Sequence, residues 1–157
     1  MASLEGWSST IELHPRVSFE TQMSLEHRPY RVCVDASFYD QVGGQSFFDR
    51  LVDAFYEGVE KSELLRAMYP KDLSESKRHM VLFLTQYWGG PTTYQQERGH
   101  PRLRMRHAPF RITKGARDAW RGAMNAALAS VRSELTDEQF AELTSYFEVA
   151  ANQMRNV

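Results

Sequence analysis

Cysteine is nearly missing from this chain: Cys33 is the single one in 157 residues. That excludes an internal disulfide, a zinc ribbon and any cofactor attachment through a Cys-x-x-Cys-His motif, and it fits a reducing compartment. Excess charge is missing too, since 19 Lys and Arg against 20 Asp and Glu leave a formal net charge of −1. A chain so balanced has no bulk attraction for nucleic acid. No apolar run approaches a membrane span, and the first residues lack the basic start, apolar stretch and cleavage site of a secretory signal. A cytoplasmic protein with no nucleic-acid or membrane partner is the expectation. Metalloprotease His-Glu-x-x-His pairs, phosphate loops, Gly-x-Ser-x-Gly elbows, dinucleotide fingerprints, repeats and low-complexity tracts do not occur. What is present, 42% hydrophobic residues over this length, suffices for one domain with its own core.

Residues 1–36 read as an N-terminal extension, expected to be mobile. They are polar, broken by Pro15 and Pro29, and only the alternation of Tyr30, Val32 and Val34 with Arg31, Cys33 and Asp35 hints at a strand. Residues 37–157 form the domain proper, where the periodicity becomes helical. A short helix over 37–42 stops at Gly43-Gly44, and Ser46 is the expected cap of the next. There Phe47, Phe48, Leu51, Val52, Phe55, Tyr56 and Val59 recur at helical spacing, so Tyr56 lies on the buried stripe. Ser62 caps a brief helix ending at Tyr69-Pro70. A longer one over 74–88 presents Met80, Val81, Phe83, Leu84, Tyr87 and Trp88 and ends at Gly89-Gly90-Pro91. Thr113 caps a helix with Ala116, Ala119, Trp120, Met124, Ala127, Leu128 and Val131 inward. Thr136-Asp-Glu-Gln139 is a capping box for the last, carried by Phe140, Leu143, Phe147, Ala150, Ala151 and Met154. No strand is expected in this part, so the class is all-α.

One irregular stretch interrupts the helices. A loop containing Tyr94 leads to Gly99-His-Pro-Arg-Leu-Arg-Met-Arg-His-Ala-Pro-Phe110, where Pro101 is expected to open a short turn of helix and Pro109 to close it. Leu103 and His107 then share one face, with Arg102, Arg104 and Arg106 free to meet water or an anion. From this segment alone a buried histidine with one good hydrogen bond is the commoner outcome and a metal ligand the rarer. His100 and His107 have no second histidine or carboxylate at ligand spacing for zinc. For Tyr56 and Tyr69, too, an ordinary core role with the hydroxyl on a backbone carbonyl is the commoner outcome.

The runs Ser-Phe-Tyr-Asp-Gln-Val-Gly-Gly (37–44), Ala-Phe-Tyr (54–56), Met-Tyr-Pro (68–70), Gln-Tyr-Trp-Gly-Gly-Pro (86–91), the stretch 99–110 and Arg-Asp-Ala-Trp (117–120) occur in this order. Together they resemble the group II truncated haemoglobins, in their mycobacterial form. The resemblance implies a two-over-two helical sandwich around one non-covalent haem b per chain, with His107 as the iron ligand. It further implies that Tyr56, Tyr69 and Trp120 stand on the ligand side, and that Ser76 and Met80 face the ligand. Phe83, Met105 and Phe110 are implied as walls of the macrocycle, and His79 and Tyr94, with Arg104, are candidates for the propionates. A ligand that draws electron density from ferrous iron is held by such donors at roughly 1 to 3 kcal/mol each, which predicts slow release of O2. The implied ligands are O2, CO, NO, cyanide and peroxide.

The chain departs from the mycobacterial pattern in its long extension and in being one residue shorter between Pro70 and Trp88, which bears on Ser76, His79 and Met80. The leading reading is a haem protein that binds O2. A second is a haem enzyme, peroxidase-like or oxidising nitric oxide, which needs an external reductase because the chain has no flavin or nicotinamide domain. The third is a cofactor-free all-α interaction module. A second copy of the chain is a further candidate partner.

Overall fold

Residues 36–157 are described in this computed structural model, so all of the expected extension but Ala36 lies outside the described residues, its strand-like alternation included. Ser37 starts α1 (Phe38–Gln41) with a reciprocal cap: its hydroxyl accepts from the Asp40 amide and the Asp40 side chain accepts from the Ser37 amide. Gly43 and Gly44 follow with φ of 97° and 71°, a left-handed pair that glycine adopts without steric cost. α2 (Gln45–Lys61) starts directly after them. Ser46 therefore does not cap it: Gly44 holds the cap position, and the Ser46 hydroxyl, already inside the helix, donates to the Gly43 carbonyl at 3.1 Å. The backbone reversal requires the glycines, and it sets the start of α2 ahead of the serine.

Ser62 caps α3 (Glu63–Arg66) by accepting from the Leu65 amide at 3.3 Å. α4 (Ser74–Tyr87) follows the Tyr69-Pro70 corner. The Tyr94 stretch, expected as a loop, is helical: α5 (Thr93–Arg98) buries Tyr94 against Phe83, ring centroids 5.6 Å apart. Burial of that ring repays a helix too short to announce itself in sequence. α6 (Leu103–His107) begins two residues after Pro101, not at it. Arg102 precedes it at φ 41°, the one non-glycine residue with positive φ among those described, a conformation that costs on the order of 1 to 2 kcal/mol. The Arg106 guanidinium holds the turn by donating to the carbonyls of Pro101 and Arg98, each at 2.8 Å.

Thr113 and the Thr136/Gln139 box cap α7 (Lys114–Ser130) and α8 (Asp137–Met154) as their spacing predicts, and a single 3-10 turn, Arg132–Glu134, lies between these two helices. The described residues contain helices and no strand. α2 packs on both α4 and α7, and α7 packs on α8. This is the two-over-two arrangement, two helix pairs joined where α2 meets α7. That contact is close because Gly58 has no side chain: a Cβ there would sit 2.9 Å from the Ala123 Cβ. The α2 stripe from Phe47 to Val59 is fully inside, with Leu84, Met124, Leu128 and Leu143 from the other three helices. No described helix is long and apolar enough to cross a membrane.

Candidate functional site

His107 ends α6, and its Nδ1 lies 2.7 Å from the Leu103 carbonyl one turn earlier. A carbonyl only accepts, so Nδ1 carries the proton and the Nε2 lone pair is left available. The backbone behind it is fastened from the far end of the chain. The Asn156 side-chain amide donates to the carbonyls of Phe110 (2.8 Å) and His107 (3.4 Å), its oxygen accepts from the Ile112 amide (2.9 Å), and its own amide donates to the Ile112 carbonyl (3.2 Å). In the same segment, Met105 is 66% and Phe110 48% exposed. Two large apolar side chains left uncovered within a few residues of each other suit contact with an apolar partner.

A second cluster forms around α2. Tyr56, 3% exposed, meets the Tyr69 ring edge-on at 5.6 Å. Phe55 links them to Trp120, 5.2 Å away on α7. Burial pushes the Tyr69 phenol up to about 12, a shift the neighbouring Trp120 indole opposes. Burial likewise raises Tyr56, with the nearby Tyr69 adding to the effect and the Ser76 hydroxyl opposing it. Both phenols are therefore neutral donors through the whole physiological range. Tyr69 is set at its corner by Arg66, whose guanidinium gathers the carbonyls of Tyr69 (3.3 Å), Pro70 (2.8 Å) and Lys71 (2.9 Å).

α4 lays Ser76, Met80 and Phe83 along one half-buried face at the i, i+4, i+7 spacing of a helix stripe. His79, on the same helix, has Arg98 Nη1 2.8 Å from its Nε2, and Glu75 lies within 3.4 Å. Burial, then the adjacent Arg98 cation, pulls the His79 imidazole below its ordinary value. A neutral His79 accepting from Arg98 leaves a cation at the rim suited to a carboxylate. Arg104 is exposed nearby in sequence. The structure thus brings Tyr56, Tyr69, Trp120 and Ser76 together and pairs Phe83 with Tyr94, and it leaves Met105 and Phe110 exposed in the segment that carries His107. Arg66, Arg98 and Asn156 are contributors that sequence reasoning missed, because each acts through backbone carbonyls or a neighbouring side chain and carries no periodic signal.

An imidazole with one committed nitrogen, exposed apolar side chains in the same short segment, and a buried Tyr56 with half-buried Tyr69 and Trp120 are the features of a small helical protein of the globin class. Comparison with known proteins agrees: the chain belongs to the bacterial-like globin family, whose model matches residues 37–154. It is 43% identical over 113 residues to the group 2 truncated hemoglobin of Bacillus subtilis, covering 72% of this chain and 84% of that protein. Among solved structures it is similar to the hemoglobin of Chloroflexus aurantiacus, with a TM-score of 0.74, 46% identity, and 78% and 100% of the two chains covered. The thermostable hemoglobin of Thermobifida fusca gives a TM-score of 0.75 at 46% identity, over 78% and 98% of the two chains. Group II truncated haemoglobins are among these neighbours, as the resemblance of the sequence runs implied.

Proposed function

We propose that the chain holds one haem b, ligated by His107 Nε2, and retains O2 and other small ligands through Tyr56, Tyr69 and Trp120. When bound, the haem supplies a ferrous iron that takes up O2, CO or NO. The protein residues do the rest. Leu103 fixes the tautomer and rotation of His107, so the ligating nitrogen is presented without a reorganisation cost. Met105, Phe110 and Phe83 cover the macrocycle with apolar surface, while Arg98 and His79, with Arg104, receive the propionates. Tyr69 and Trp120 donate hydrogen bonds to the ligand, and Tyr56 is oriented by Ser76. A donor already held against the core needs less desolvation and ordering to do this, which favours retention over release.

The observation that carries the proposal is the 2.7 Å bond from His107 Nδ1 to the Leu103 carbonyl. Slow release draws support from a similar Bacillus subtilis structure described as a truncated oxygen-avid haemoglobin, 41% identical with a TM-score of 0.72. Titrating the purified chain with haemin tests it. A sharp Soret band that saturates at one equivalent is expected, and an unshifted spectrum of free haemin would overturn the assignment.

A further inference from the structure

The proposed site uses only part of the arginine-rich run. Residues 98–117 carry seven Lys and Arg and no Asp or Glu, so the rest of the chain has a formal charge of −8 against +7 here. Arg102, Arg104, Arg106, Arg111 and Lys114 are all exposed. Arg106 is occupied by backbone carbonyls and Arg98 by His79. Two of the acids on adjoining elements are paired, Glu97 with Arg78 and Asp118 with Arg117, while Glu75, 3.4 Å from the neutral His79, offsets one charge at most. Among the described residues no ion pair or side-chain hydrogen bond engages the head groups of Arg102, Arg104, Arg111 or Lys114. The two carboxylates of a haem b neutralise two charges at most, which leaves the face cationic.

We infer that this face docks an acidic electron-donor protein, a flavin carrier whose negative surface meets the cations around α6. The inference rests on the haem reading above, because α6 carries His107. Charge segregation of this degree steers a small acidic partner to one face and repels it elsewhere, which suits the brief, charge-guided encounters of electron transfer. An extended polyanion such as duplex DNA meets the acidic remainder of the described residues, formally −6, as well as the cationic face, and so is favoured less. In the encounter the reduced flavin loses one electron and the ferric iron gains it, with no bond made or broken.

The test uses the full-length haem-loaded chain and flavodoxin as the acidic probe. Calorimetry with oxidised flavodoxin reads binding, and stopped flow with reduced flavodoxin reads electron transfer. Binding is expected to weaken about tenfold or more between low and physiological salt, and by a similar factor in Arg111→Glu/Lys114→Glu at low salt. Reduction by flavodoxin falls in parallel, whereas reduction by hexaammineruthenium(II), a small cation, is not slowed. Lys71→Glu, outside the run, is expected to bind as wild type. Equal binding by wild type and the double variant overturns the inference. So does a wild type that ignores flavodoxin but loses duplex DNA or anionic vesicles when the two charges are reversed. A wild-type chain that takes up no haem overturns the site assignment itself, a result distinguishable by its spectrum.

Discussion

Replacing Tyr69 or Trp120 by phenylalanine isolates the hydrogen-bond argument from packing. In Tyr69→Phe the ring that meets Tyr56 edge-on at 5.6 Å is retained, and only the hydroxyl is lost. That hydroxyl is neutral at every working pH, its phenol being held near 12 by burial, so the change removes a donor and no charge. A bond to a charge-bearing acceptor contributes about 1.5 to 3 kcal/mol, part of which is offset because the hydroxyl exchanges one partner for another when it turns to the ligand. A net loss near 1.4 to 2 kcal/mol corresponds to O2 leaving about 10 to 30 times faster. Trp120→Phe keeps an aromatic ring toward Phe55 and removes the indole donor, with a similar effect expected. Because the two donors are neighbours, the double variant should fall short of the product of the single effects. Stopped-flow O2 dissociation is the assay. Off-rates within about twofold of wild type in both variants, under ~0.4 kcal/mol, with folding intact, would refute the donor role.

Asn156→Leu removes the side-chain bonds to the His107, Phe110 and Ile112 backbone. Haem transfer to apomyoglobin should accelerate and the iron–histidine stretching band should broaden or shift, while Asn156→Asp, which keeps only the acceptor for the Ile112 amide, should lie between; identical Raman spectra and transfer rates in all three proteins would contradict it. Alkaline stability tests the buried phenols. With Tyr69 raised from 10.0 to about 12, its contribution is fully present below pH 10 and is lost as pH climbs toward 12, since only the unfolded chain releases that proton in the interval. Alkaline denaturation should therefore be shallower in Tyr69→Phe. An ultraviolet titration of the folded protein in which every tyrosine ionises together near its ordinary value would exclude this account.

How much of this was readable beforehand depended on whether a residue acts through a pattern or through a neighbour. The α2 stripe, the Thr113 cap and the Thr136/Gln139 box are local and periodic, and they stand where spacing put them. Ser46 misled because a serine ahead of an apolar run resembles a cap, while the adjacent glycine pair decides where the helix starts. Pro101 misled in the same way: the loop carbonyls gathered by Arg106 keep it outside α6, a long-range constraint with no local signature. Tyr94 read as loop because a six-residue helix leaves too short a periodic trace, its existence resting on burial against Phe83. Tyr146 was missed although it is half-buried and packs within 4.4 Å of Tyr87, since it falls beside, and not on, the most apolar stripe of α8. Of the site, His107 and the three aromatic donors were named from motif resemblance, whereas Arg66 and Asn156 act on backbone carbonyls that only the folded chain brings within reach.

The coordinate bond from His107 is the claim on which the rest depends, and a cavity variant measures it directly. His107→Gly should lose the five-coordinate ferrous spectrum and the iron–histidine stretching band, and added free imidazole should restore both by filling the vacated position. A variant that keeps the wild-type spectrum without imidazole would contradict the account, because some other side chain would then be holding the iron.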